Sequence, residues 1–269
     1  MNPSILSYAA ATMYLLASVL LAVRLFRGAE AARTSKRWPL LVAVAALILH
    51  SWLVYQGLVD TAGIDLGLFS ILSLIAWLVS LLLVSAAFTK PIENLAVLVL
   101  PLSALALLLD LWFPLSHVVL EGAPFGLNAH VLLSIFAYSL LSIAAVQAIV
   151  LSIQDAHLRR HRPGGFIRAL PPLQTMETML FELIGLGFAL LTLALFSGVM
   201  FVEDLFAQHL VHKTVLSIAA WIVFAVLMWG RWRFGWRGRT AIRWTISGFV
   251  TLMLAFLGTK LVLELILQR

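Results

Sequence analysis

The sequence predicts an all-α integral membrane protein, a bundle of eight transmembrane helices, and three observations carry that expectation. The 269 residues are 62% hydrophobic and 11% charged, with mean hydropathy +1.05. That is more apolar surface than a soluble core of this length can hide. The apolar residues fall in eight runs, each near the roughly 20 residues that cross a bilayer as a helix. The basic residues gather between the runs, in alternate connectors.

In order, the runs cover about 4–23, 39–58, 67–88, 95–113, 130–153, 179–202, 214–230 and 244–267. The first ends in Arg24 and Arg27 instead of a small-residue cleavage site, so it reads as a retained span. The longest connector, about 154–178, holds Pro163-Gly-Gly165 and Pro171-Pro172 and is too short to bury a core. The chain 1–269 therefore reads as a single polytopic membrane domain. Fifteen of the eighteen Lys and Arg residues lie after the first, third, fifth and seventh spans. By the positive-inside rule those connectors are cytoplasmic and both termini are periplasmic.

Charge and composition also exclude functions. The net charge of +6 would suit nucleic acid, but short basic clusters between apolar runs are a topology signal, so no nucleic-acid partner is expected and the bilayer is. The absence of cysteine rules out disulfides, thiolate metal sites and a Cys-x-x-Cys redox pair within the chain. There is no glycine-rich phosphate loop, His-Glu-x-x-His or Gly-x-Ser-x-Gly.

A titratable side chain in hydrocarbon costs a few kcal/mol, so each one needs a reason. His50, in the outer half of the second span with Tyr55 and Gln56 one turn on, reads either as a ligand or gate residue or as a neutral imidazole hydrogen-bonded to a neighbouring helix. Asp110 and the Lys260/Glu264 pair lie near outer helix ends and read as structural. Glu182 is expected near a helix N-terminus, where the dipole favours its charge. His130 is expected to open its span at the outer interface, with Ser134 and Tyr138 on the same stripe at i+4 and i+8, an arrangement suited to holding a ligand. His117, His209 and His212 fall in the outer connectors. His157 and His161 sit in a basic inner loop and read as part of a solvated positive patch.

Several segments occur in an order that resembles one known family. They are His50 with Gly57, Gly67-Leu-Phe-Ser-Ile-Leu-Ser-Leu-Ile-Ala-Trp77, His130 with Tyr138, Gly187-Phe-Ala-Leu-Leu-Thr192 with Ser197-Gly198, Trp221, Gly235-Trp-Arg-Gly238, and Gly248-Phe249 with Gly258. The series resembles the CcsA-like cytochrome c assembly proteins, and most closely their small inner-membrane branch.

The resemblance implies a haem-binding or haem-handling protein of the bacterial inner (plasma) membrane, multi-pass, acting with other cytochrome c maturation proteins. It implies haem b as cofactor, with His130 as iron ligand and metal site. In the family a tryptophan-rich outer segment and a pair of flanking outer histidines hold haem. Here the stretch between Gly198 and Trp221 contains no tryptophan, and the second outer histidine falls around Leu267. His209 or His212 is then the substitute second ligand, and His50 and Tyr138 complete the cofactor-binding set. The same departures argue against synthase-type activity, so no catalytic residue is expected. They also support an alternative, a non-catalytic membrane scaffold or transporter accessory that keeps the bundle and has lost haem chemistry.

Overall fold

The computed structural model describes residues 2–27, 35–60, 67–113, 124–160, 170–201 and 211–258. His117, His161, His209, Lys260 and Glu264 lie outside the described residues. Among those described there is no strand, and the α-helices are α1 (Pro3–Phe26), α2 (Arg37–Asp60), α3 (Leu68–Ala87), α4 (Glu93–Trp112), α5 (Phe125–Arg159), α6 (Leu173–Phe201), α7 (Val211–Phe234) and α8 (Gly238–Met253). A π-helical stretch, Leu254–Gly258, continues α8. Eight segments are long and apolar enough to cross a membrane, as the hydropathy predicts.

The boundaries differ from the sequence reading in ways that matter. α5 begins at Phe125, so His130 lies more than a turn inside its helix. α6 begins at Leu173, which puts Glu182 well past the first turn, while Glu177 takes the place near the helix start. α8 begins at Gly238, six residues before the apolar run. Hydropathy finds the hydrocarbon-crossing part of a helix; the ends continue into the interface, where polar side chains reach water.

The chain divides into two compact units, Met1–Gly122 with Ala156–Pro172, and Ala123–Asp155 with Leu173–Arg269. In the first, α1 packs against α2 and α4, and α3 against α4 and α2. Asn2 caps α1, its side-chain oxygen accepting from the Ser4 N–H at 3.1 Å, and Pro3 follows where its missing N–H costs nothing. The face that α1 buries is mostly small: Ser7, Ala10, Ala11, Ala17 and Ser18 recur at helical spacing around Tyr14. Small residues let backbones approach closely, which is what drives helix association where lipid is as apolar as leucine.

One contact in this unit repairs a defect. Pro101 lies inside α4 and has no N–H to give the carbonyl of Val97 four residues back. The Ser18 hydroxyl of α1 donates to that carbonyl at 2.9 Å. At one end of the unit, Glu93 pairs with Arg24 at 3.3 Å and Lys36 at 3.5 Å, tying α1 and the start of α2 to α4.

In the second unit α7 packs against α6, α8 and the π-helical stretch. Two of the glycines in the family-like series, Gly187 and Gly248, are close contact points. Leu141 of α5 lies over Gly187, and the Phe224 ring over Gly248, each where a Cβ would come within 3 Å. Trp221 donates its indole N–H to Thr192 at 2.9 Å while its ring stacks on Phe188, fastening α7 to α6. Between α7 and α8 the chain turns through Gly235 and Gly238, both with positive φ, a region that costs other residues about 1–2 kcal/mol. Arg237 gives α8 no side-chain cap; instead Glu177 of α6 accepts from the Gly238 N–H at 2.8 Å. A carboxylate there satisfies an orphan donor and meets the positive end of the helix dipole.

Candidate functional site

The site is built where the first turns of α5 meet the last turns of α6. The two helix ends come together because each presents a glycine to the other: the Phe201 ring lies on Gly126, and the His130 ring lies on Gly198. A Cβ on Gly198 would stand 3.0 Å from His130 Cε1 and 3.3 Å from Nδ1, so the imidazole plane is held against bare backbone.

His130 is half-buried, and one of its two nitrogens is engaged. Nδ1 lies 2.8 Å from the carbonyl oxygen of Ala194 and 3.2 Å from Ser197 Oγ. The Ser197 hydroxyl donates to the same carbonyl at 2.9 Å. A carbonyl oxygen can only accept, so the neutral imidazole carries its hydrogen on Nδ1 and donates it there. The lone pair is then on Nε2, which has no hydrogen-bond partner among the described residues. This is how imidazoles that ligate metals are usually held, with the far N–H fixed by a carbonyl or carboxylate.

The other predicted residues are placed as follows. Ser134 donates back to the His130 carbonyl at 2.8 Å, so its hydroxyl serves the helix. Tyr138, two turns further along α5, is 8% exposed. Its ring packs against Phe249 of α8 and Phe256 of the π-helical stretch, with centroids 5.7 and 6.0 Å away. Its hydroxyl is buried with no partner among the described residues. His212 is exposed in the first turn of α7. Since Trp221 meets Thr192, counting 1.5 Å per residue puts His212 about 10 Å nearer than Ala194 to the ends of α6 and α7 that the chain joins.

His50 belongs to the first unit and is fully buried. Its Nδ1 is 3.2 Å from the Tyr14 hydroxyl and its Nε2 3.1 Å from Ser73 Oγ. Both nitrogens are therefore within hydrogen-bond distance of a hydroxyl. Asp110 accepts from Ser70 at 2.8 Å, and His157 is exposed near the end of α5. Among the described residues no three His, Cys, Asp or Glu side chains form a metal-binding group.

Sequence reasoning placed no chemical role on Ala194, Ser197 or Gly198. Ser197-Gly198 was visible only as one link in the family series, and a main-chain acceptor has no residue-type signature.

Among the described residues, an all-helical chain with eight segments able to span a membrane, one of them carrying a histidine hydrogen-bonded through Nδ1, defines a class: polytopic α-helical membrane proteins. The chain matches the family described as Cytochrome C assembly protein over residues 38–267, and it belongs to that family. It is 32% identical over 234 residues to the inner membrane protein YpjD of Escherichia coli (strain K12), covering 86% of this chain and 88% of that one. It is 28% identical over 120 residues to the cytochrome c biogenesis protein CcsA of Rippkaea orientalis, covering 41% of this chain and 35% of that one. No solved structure matches the chain significantly.

Proposed function

We propose that the protein is an inner-membrane haem-handling component of cytochrome c assembly, in which His130 Nε2 ligates haem iron at the periplasmic side. The observation that carries this is the His130 imidazole, whose Nδ1–H is held by Ala194 while Nε2 has no protein partner among the described residues. Family membership and the CcsA likeness supply the context, and the name of the YpjD relative supplies the membrane.

The donor set fits haem b better than a free metal ion. Imidazole is a common protein ligand of haem iron, whereas the described residues offer no cluster for a bare cation. Bound there, haem would supply a redox-active iron. The chain's own residues do the rest: α6 orients the imidazole, and the Tyr138 hydroxyl offers a buried donor without a partner among the described residues. His212, and His209 outside the described residues, are the proposed sources of a second axial ligand. His50, with both nitrogens engaged, serves the first unit as a structural hydrogen-bonding centre.

The test is spectroscopic. Protein expressed with ample haem and purified in mild detergent should show a Soret band that His130→Ala removes or shifts. His130→Gly should regain it with added imidazole, which fills the space the side chain leaves. His157→Ala should change nothing. A colourless protein that cannot be reconstituted would end this reading and leave the scaffold alternative, which the missing tryptophans between Gly198 and Trp221 favour.

A further inference from the structure

We infer that α6 contains a positioning device for His130, made of the Ala194 carbonyl and the bare Cα of Gly198, that selects the ligating nitrogen and sets its donor strength. The inference rests on the proposed haem ligation and goes further, because it makes Ala194 and Gly198 responsible for the tautomer and the donor strength of the ligating nitrogen.

Two independent contacts define the device. The first is chemical: Nδ1 lies 2.8 Å from the Ala194 oxygen, an atom without hydrogens, so the Nδ1–H tautomer is the one that gains the bond. The second is steric: the imidazole lies over Gly198, and a methyl there would approach Cε1 to 3.0 Å and Nδ1 to 3.3 Å. Contacts that close push the ring off its present plane and away from the carbonyl. Ser197 is a smaller part of the same arrangement, its hydroxyl 3.2 Å from Nδ1 and itself donating to Ala194.

The consequence follows from the electronics of imidazole. Donation of the far N–H to a strong acceptor pushes electron density toward the ligating nitrogen and raises its basicity. A more basic ligand favours the oxidised over the reduced iron, so the Ala194 contact should lower the reduction potential of bound haem. Loss of such an outer contact typically weakens metal binding about 10–100-fold.

Two measurements test this, one without haem. Nitrogen-15 NMR of haem-free protein labelled at histidine should show His130 as the Nδ1–H tautomer, and Gly198→Ala should convert it to a mixture. In the second, the His130→Gly protein is loaded with haem in the presence of imidazole or 1-methylimidazole. Imidazole has an N–H for Ala194 and should restore both the band and the wild-type potential. 1-Methylimidazole has none; it should bind about 10-fold more weakly and leave the potential higher. This pair keeps the test decisive even if Gly198→Ala folds poorly. An Nε2–H tautomer in the haem-free protein overturns the inference. So does equal affinity and potential with the two imidazoles, provided His130→Ala has abolished the band; that outcome leaves haem ligation intact. If His130→Ala keeps the band unchanged, the ligation reading itself fails, and this inference with it.

Discussion

His50 and His130 are both histidines in apolar helices, and what separates them is the chemistry of the atoms they face. His50 faces two hydroxyls, each able to donate or accept, so its hydrogens can be arranged in either sense and both nitrogens stay occupied. Among the described residues His130 is engaged at one nitrogen only, by a carbonyl at 2.8 Å and, less closely, the Ser197 hydroxyl that donates to that carbonyl. Replacing His50 with Leu should leave the buried Tyr14 and Ser73 hydroxyls without their imidazole partner and destabilise the protein by about 1–3 kcal/mol. Unfolding in mixed micelles would measure the loss, and the Soret band per folded molecule should not change. A variant that kept its stability and lost its colour would make His50 a ligand instead. Residue type and hydropathy marked both histidines, His50 as costly to bury within its span and His130 as opening a span at the interface. The sequence could not tell an imidazole bonded at both nitrogens from one bonded at a single nitrogen, since the deciding partners lie 36 and 64 positions away.

At the scale of elements, the eight helices were legible because about 20 apolar residues in sequence have few alternatives in a bilayer. Their ends were less so. Phe125-Gly-Leu-Asn128 and Gly238-Arg-Thr240 are not apolar runs, and the start of α8 depends on Glu177, 61 residues earlier. The same long-range dependence holds for Pro101, which as a residue type predicts a break that Ser18 of another helix makes harmless. Ser18→Ala should therefore cost about 1–2 kcal/mol by leaving the Val97 carbonyl unpaired. In a Pro101→Ala background, where α4 regains its own N–H, most of that cost should disappear. A double-mutant cycle read by unfolding would show the coupling, and purely additive effects would refute the repair.

For the whole molecule, the distribution of basic residues predicts the orientation. Arg24 and Lys36 meet Glu93 at one end of the first unit, and Arg239 meets Asp155 at 3.2 Å in the second. In both units these are the ends joined by the odd-numbered connectors. Because the chain lacks cysteine, single cysteines can report the side directly. Pro124→Cys, beside the start of α5, should react in intact cells with a membrane-impermeant thiol reagent, and Thr89→Cys and Arg237→Cys should react only after lysis. Labelling of the latter two in intact cells would reverse the assignment and put the His130 end in the cytoplasm.

The acceptor that holds His130 belongs to the main chain, and this shapes what genetics can see of it. Every substitution at position 194 except one that breaks the helix keeps the carbonyl, so a saturating screen would score that buried position by side-chain fit alone and miss the hydrogen bond. The signal would appear four residues later, as intolerance at Gly198 with no charge or hydrogen-bonding group of its own to explain it. In a mutational map of this chain, the residue that performs the contact would report only its packing, and the one that makes room for the ring would report the contact.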